Sequence, residues 1–583
     1  MAIPRRLGQS PTVRGGNRRA MHGGAIAPAY SVAPHLRRRG SVLLLVLVVV
    51  AMLTLGTATY LELMQHEHQA VRHHGRAAQA VRLAESGVEY AKTLLALTPV
   101  ELVQEGGLAS NSTLMQAIVV DDQPDDFDRG MFTLLAPAQS DGRYSGVRYG
   151  LENESAKLNL NVLLADESQA ASRLLALRGM TAEIADAILD WIDDDEAPRA
   201  GGAEQEYYSQ LSPPYAPRNA AFAAVDELLL VRGVTPELLY GLDANRNMLV
   251  DDVEEARGAL TELDNATGEF NRGWAAYLTV ASVEAMQDPA AALPDLNGKN
   301  LQQLHAALKK NGLDEGQANF IVIYRQYGAA PEPEEPSDNA ADRDGNRGDN
   351  SGGGGTRQPP GAAAGQPGAA GQPPGQQTPV TVTAAAVQVK FEAEAAAPLN
   401  SPLDLVGVKV QVPGGDENSP PQIVESPWQD DTNSYRDLLE LYDAVQITTA
   451  RRVAGRVNVN AATRPVLRSI PGLAATAIDR IISRRESEPD PLLSDQRHAV
   501  WLLVEGVVKL DEMRALERYV TTRGDVFSGQ SVGFFAAGPI AARGEFILDR
   551  SGPTPRLRAW RDLSSLGRGF SGKLLGAQPQ PTP

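Results

Sequence analysis

From Ser41 to Leu61 the chain carries no Lys, Arg, Asp or Glu. No later stretch matches this run of uncharged, mostly apolar residues. An apolar helix of about 20 residues is long enough to cross a hydrocarbon core of about 30 Å. Arg5, Arg6, Arg14, Arg18 and Arg19 precede the run, and Arg37-Arg38-Arg39-Gly40 abuts it. Arginines on this side hold the N-terminus in the cytoplasm and send the rest across. The expectation is a single-pass chain with its bulk beyond the membrane. A secretory signal cleaved near Gly56-Thr57-Ala58 is the other reading of the same residues.

The length, 583 residues, exceeds one ordinary domain. Aromatic residues make up only 5%, so several modest cores are expected rather than one large one. The net charge is −18, more negative still beyond the basic leader. That balance opposes broad nucleic-acid binding, which rests on neutralising phosphates. With no cysteine, disulfides, thiolate metal sites and cysteine nucleophiles are excluded.

Beyond Leu61, residues His66–Leu95 contain no proline and repeat Ala, Leu and Val at three- and four-residue intervals. The spacing predicts one amphipathic helix, ended by Thr98-Pro99. Phe132–Leu135 and Tyr144–Leu151, flanking Asp141-Gly142, predict a β-hairpin. A helical block follows over Leu163–Gly241: a helix over Ala171–Leu177, a turn at Arg178-Gly179-Met180, and Thr181 capping a helix over Ala182–Ile192. Lys157-Leu-Asn-Leu-Asn161 has an echo in Arg456-Val-Asn-Val-Asn460, each ahead of a pair of helices, and a degenerate copy lies at Leu296–Tyr324. From Ala329 to about Thr378 almost no large apolar residue occurs, which predicts a disordered linker. Val380–Thr383, Ala386–Ala393, Leu405–Val412, Gly533–Phe535 and Glu545–Leu548 read as strands, and the chain frays after Gly567.

The sharpest chemical motif is Asp243-Ala-Asn245-Arg-Asn247-Met-Leu249-Val-Asp251-Asp-Val-Glu254. Oxygen ligands fall at positions one, three, five and nine, the Leu249 carbonyl at seven, and Glu254 at twelve. This is the spacing of a calcium loop, where hard oxygens suit Ca²⁺. Met248 stands where glycine usually takes a positive φ, which should lower affinity. The expected role of the metal is structural. His66, His68, His73 and His74 read as a solvated helix face. There is neither a Gly-x-x-x-x-Gly-Lys-Ser/Thr loop nor a Gly-x-Ser-x-Gly elbow, and no enzymatic activity is expected.

Three stretches carry a family resemblance. The basic leader ending in Gly40 resembles a type IV prepilin leader, which a dedicated peptidase cuts after the glycine, here at Gly40–Ser41. Leu83-Ala-Glu-Ser-Gly-Val-Glu-Tyr-Ala91 resembles a signature of minor pseudopilins. The order Lys157–Asn161, Asp190-Trp-Ile-Asp-Asp-Asp195, Ala203-Glu-Gln-Glu-Tyr-Tyr208, Pro213-Pro-Tyr215 and Asp226–Val234 closely resembles the minor pseudopilin K family of type II secretion systems. Leu45 agrees: most pseudopilins carry glutamate there, and K members lack it.

The resemblance implies an α+β fold, with a long N-terminal helix on a small antiparallel sheet and an inserted helical domain of helix–hairpin–helix-like units. The expected segments are a leader (1–40), a membrane helix (41–61), its outer half (62–98), a sheet region (99–162) and the K-type helical domain (163–328). A linker (329–379), a strand-containing region (380–450), a second helix–hairpin–helix-like unit (451–525) and C-terminal strands with a tail (526–583) complete it. It also implies an inner-membrane protein with a periplasmic bulk. This protein would assemble with minor pseudopilins I and J at a pseudopilus tip, after processing by prepilin peptidase. Family members are associated with calcium, so Asp193, Asp195 and Glu204 form a second candidate site. Ile470–Ala474, with Arg480, Arg484 and Arg485 beyond it, resembles a DNA-binding helix–hairpin–helix. A membrane-anchored DNA receptor is therefore the rival reading.

Overall fold

The computed structural model describes residues 41–258, 265–286, 293–331, 379–414, 419–446, 450–486, 488–490 and 492–577. The chain divides into two units, one ending at Arg72 and the other beginning at His73. The uncharged run is helical throughout and opens α1 (Ser41–Leu95). Its apolar side chains between Val42 and Met64 are exposed. Among the described residues this is the one helix long and apolar enough to cross a membrane.

In the second unit the character of α1 changes. Ala80, Leu83, Ala84, Val88, Ala91, Leu94 and Leu95 are buried, at the spacing that aligns side chains on one helix face. They meet a seven-stranded sheet. Its strands are β1 (Ile118–Asp121), β2 (Gly130–Ser140), β3 (Arg143–Arg148), β4 (Glu152–Asn153), β5 (Val526–Phe535), β6 (Ala541–Asp549) and β7 (Arg556–Asp562). The order is β1-β2-β5-β6-β7, with β3 also paired to β2 and β4 to β5. Every pairing is antiparallel. Helix and sheet touch closely at Gly533, where a Cβ would lie 2.1 Å from the Ala80 carbonyl oxygen. The Ser531 hydroxyl donates to the Ala84 carbonyl at 2.7 Å.

The hairpin expected around Asp141-Gly142 is β2–β3, and both turn residues have positive φ, as a type I′ turn requires. The sheet is wider than residues 99–162. β5 from the C-terminal region lies beside β2, pairing Leu135 with Gln530 and Gly130 with Phe535. The helical regions are thus inserted between β4 and β5. Two other expectations need correction. Thr98-Pro99 does more than end α1: Thr98 and Glu101 form a capping box that starts a second helix at Pro99. Residues past Gly567 do not fray at once, because Phe570 and Leu575 are buried beside Met131, Leu135 and Phe534.

The insertion is built from related units. In the first, Leu158–Asn159 pairs in parallel with Leu278–Thr279 and leads to α2 (Glu167–Leu175) and α3 (Ala182–Ile192). The helix expected over Ala171–Leu177 therefore begins four residues earlier than the periodicity placed it, and Thr181 accepts from the Ile184 amide as a cap. A third copy has α4 (Leu301–Lys310) and α5 (Glu315–Tyr327), preceded by a parallel bridge from Asp295 to Gln446. In the second, Val457–Asn458 pairs in parallel with Val520–Thr521 and leads to α6 (Arg464–Arg468) and α7 (Ala475–Arg484). The amides of Leu158 and Val457 donate to equivalent tyrosine carbonyls, Tyr277 and Tyr519. Asn159 and Asn458 both accept from the amide two residues on.

A three-stranded sheet is formed by Val380–Val382, Lys409–Val412 and Gln422–Glu425. Ala386–Ala393 is not a strand. Gly40 and most of the expected linker, residues 332–378, lie outside the described residues.

Candidate metal centre

The loop from Asp243 to Glu254 is closed by its own backbone amides. The Asp243 carboxylate accepts from the amides of Asn247 and Met248, at 2.9 and 2.8 Å. Glu254, at the other end, accepts from the Asn245 amide at 3.0 Å and the Asp251 amide at 3.1 Å. Asp251 in turn accepts from the amides of Val253 and Glu254, the start of a short helix over Asp252–Gly258. Asn245 donates to the Asp251 carboxylate at 3.2 Å. Asp243, Asn247 and Glu254 are each 5% exposed. Burial pushes the Asp243 carboxyl up to about 6, against the pull of Arg272. These residues offer the hard oxygen donors that calcium takes, although the carboxylates of Asp243, Asp251 and Glu254 accept backbone amides and do not converge within 4.8 Å of one another as a ready-made cation group would.

Met248 adopts φ +65°, the left-handed backbone that glycine usually supplies. Its side chain is buried in the cluster of Leu135, Phe534 and Phe570 on the main sheet. The strained backbone is thus offset by a docking contact that glycine lacks. Arg543 on β6, 1% exposed, donates to the carbonyl oxygens of Asn245 and Arg246. Gln530 on β5 also donates to Arg246, and Asn247 donates to the Gly569 carbonyl at 2.7 Å. These sheet residues were invisible in the loop's own spacing, because they lie nearly 300 positions away.

The second acidic group differs from its expected composition. Asp190, Asp193 and Glu204 bring one carboxylate oxygen each within 4.8 Å of one another. Asp195 is not among them. It lies past the end of α3, is exposed, and caps the Ala197 amide at 2.8 Å. Asp190 occupies its place because it precedes Asp193 by three residues, one helical turn, at the buried end of α3. That i, i+3 spacing was the available signal.

Asp190 is fully buried and Glu204 is 4% exposed. Both Glu204 oxygens and Oδ1 of Asp193 are sealed from solvent without a hydrogen-bond partner. Burial, reinforced by Asp190 and Asp193, pushes the Glu204 carboxyl up to about 7. Arg199 supplies partial compensation, bonding Asp190 Oδ1 at 2.7 Å and also Asp193. A Cβ on Gly202 would lie 1.7 Å from Asp190 Oδ2, so the chain can close over the carboxylate only at a glycine. Orphaned carboxylate oxygens this close together and sealed from solvent fit a cation.

The basic residues beyond Ala474 are otherwise engaged. Arg480 and Arg484 donate to the carbonyls of Gly506 and Glu505. Arg485 reaches those of Val459 and Ala462. His66, His68, His73 and His74 are exposed along α1.

Residues 156–244, which contain α2, α3 and the second acidic group, match the profile of the family described as type II secretion system (T2SS), protein K. Over this part the chain is similar to the type II secretion system protein K family. The Klebsiella pneumoniae type II secretion system protein K is 29% identical over 178 residues, 24% of this chain and 53% of that relative. The Pseudomonas aeruginosa protein K is 35% identical over 97 residues, 15% of this chain and 29% of the relative. The Aeromonas hydrophila protein K is 46% identical over 57 residues, 10% and 17% respectively. The matches thus span about half or less of these protein K relatives. A crystal structure of a GspK-GspI-GspJ complex from enterotoxigenic Escherichia coli covers 85% of this chain and 99% of its own, at 11% identity and a TM-score of 0.35.

Proposed function

We propose that this chain is a minor pseudopilin of a type II secretion system. The observation that carries the reading is the family match over 156–244, set in a chain whose first helix is apolar and exposed at one end and packed on an antiparallel sheet at the other. In this reading a prepilin peptidase cuts after Gly40 on the cytoplasmic side of the inner membrane, and Ser41 becomes the N-terminus. The helix from Ser41 then packs with other pseudopilin helices, while the remainder is periplasmic. The insertion between β4 and β5 suits a tip subunit with minor pseudopilins I and J, because nothing need stack above it. Leu45 agrees, having no carboxylate to pair with a subunit ahead. Both acidic groups hold calcium structurally, through Asp243, Asn245, Asn247, Leu249, Asp251 and Glu254, and through Asp190, Asp193 and Glu204. No catalytic role is assigned.

The test is the mass of the mature N-terminus from native membranes. A chain beginning at Ser41 supports the pseudopilin reading; one retaining Met1 through Gly40 overturns it.

A further inference from the structure

We infer that the cleft between α2 and the amino end of α7 binds a small oxyanion group. The inference stands apart from the pseudopilin reading and from calcium. The cleft, about 360 Å³, is lined by Arg173, Arg468, Gln169, Ser172 and the turn from Ser469 to Ala474. No carboxylate lines it, in a chain whose net charge is −18.

Arg173 carries the argument. It stands in the last turn of α2 and is 4% exposed. Its Nε and Nη2 are sealed from solvent and have no hydrogen-bond partner. The guanidinium stacks on the Tyr519 ring, 5.4 Å from the centroid, which orients it without using its donors. Burial lowers its pKa, yet a guanidinium keeps its charge in a protein. A buried cation with unused donors calls for an anion.

The facing wall supplies the complementary half. α7 is ten residues long and begins after Ala474, which offers no side-chain acceptor to the first-turn amides. The corresponding helices of the other units are self-capped, α3 by Thr181 and α5 by Asp314. Uncapped amides at a helix start favour negative charge. Arg468 adds a second guanidinium, held by Glu269 through Nη2 at 2.8 Å. The ligand class is a carboxylate, sulfate or phosphate group, alone or borne by a larger molecule.

The test titrates the full chain in detergent, with calcium present, using potassium sulfate and potassium acetate. Potassium chloride at equal ionic strength is the control, and thermal melting and calorimetry are the readouts. A saturable rise in Tm with sulfate or acetate, absent with chloride, is expected. A stronger response to sulfate assigns a sulfate- or phosphate-like group, and a stronger response to acetate a carboxylate; either supports the site. Arg173→Gln should weaken binding about tenfold or more, the loss expected on removing a charge-assisted hydrogen bond. Ala474→Asp brings its own carboxylate to the helix start. It should melt at or above wild type in chloride and no longer respond to either anion. If Arg173→Gln does not fold, Ala474→Asp alone decides. Equal behaviour of the wild type in all three salts overturns the proposal, as does an Ala474→Asp chain that responds like wild type.

Discussion

The two acidic groups solve the same electrostatic problem by different means. In the loop from Asp243 to Glu254, backbone amides from within the same twelve residues turn inward onto the carboxylates. The group of Asp190, Asp193 and Glu204 has one such amide, that of Arg199 on Asp190, and otherwise leans on the Arg199 side chain, which leaves three oxygens unserved. A contiguous loop can hold its shape before a metal arrives. A group assembled from separate segments depends on whichever cation occupies it. Calcium should therefore tune the first site and hold the second together.

Arg199→Gln tests this contrast most severely. Removing one partner from a buried charge group costs about 3 kcal/mol or more, and that loss should appear in chelator. Calcium should recover much of it, since Asp190 and Asp193 become free to bind. A loss that calcium leaves untouched would make Arg199 the group's only cation. Glu254→Gln comes next. A ligand at about 100 times its Kd stabilises the folded chain by about 2.7 kcal/mol, and this variant should forfeit most of that increment from the loop, read as the calcium-dependent shift in Tm.

The pH dependence is smaller and has a definite sign. Glu204 stands at about 7 and Asp243 at about 6, both raised by burial above the unfolded values of 4.5 and 3.8. Their contribution to stability is present below the unfolded values and is lost as pH rises through 6 and 7. Melting in chelator should accordingly move to lower temperature between pH 5 and 8, with calcium opposing the trend. Least in size is Met248→Gly. Relief of the positive φ returns about 1 kcal/mol, while loss of the buried side chain takes away about 2 kcal/mol or more. A modest net fall in Tm with undiminished calcium affinity is expected; a rise would mean that the docking contact is dispensable.

Whether a feature could be read from sequence depended on how far apart its parts lie. The uncharged run, the hairpin at Asp141-Gly142 and the Thr181 cap are all local, and each has a structural counterpart. The Asn-x-Asn repeat was equally visible, but its pairing with Leu278–Thr279 and Val520–Thr521 was not, because period-2 patterning in two residues carries no signal. Arg543 could not be assigned to the loop, since a lone arginine in a strand does not announce a carbonyl partner 298 positions away. Asp190 was missed for another reason. Three consecutive aspartates after it drew attention to the exposed turn, while the buried end of α3 supplied the third carboxylate.

The pairing of β2 with β5 sets an order of events during biogenesis. Ser531 meets Ala84 at a sequence separation of 447. Closing so long a loop is slow, and non-local strand pairing delays folding in general. Until β5 arrives, β2 presents an open edge and α1 lacks the surface beneath Ala80 and Ala84. The inserted units, whose contacts are shorter in range, are free to fold earlier. The chain would thus complete its repeats first and its sheet last, and in the interval the unfinished edge is the segment that most needs protection from aggregation.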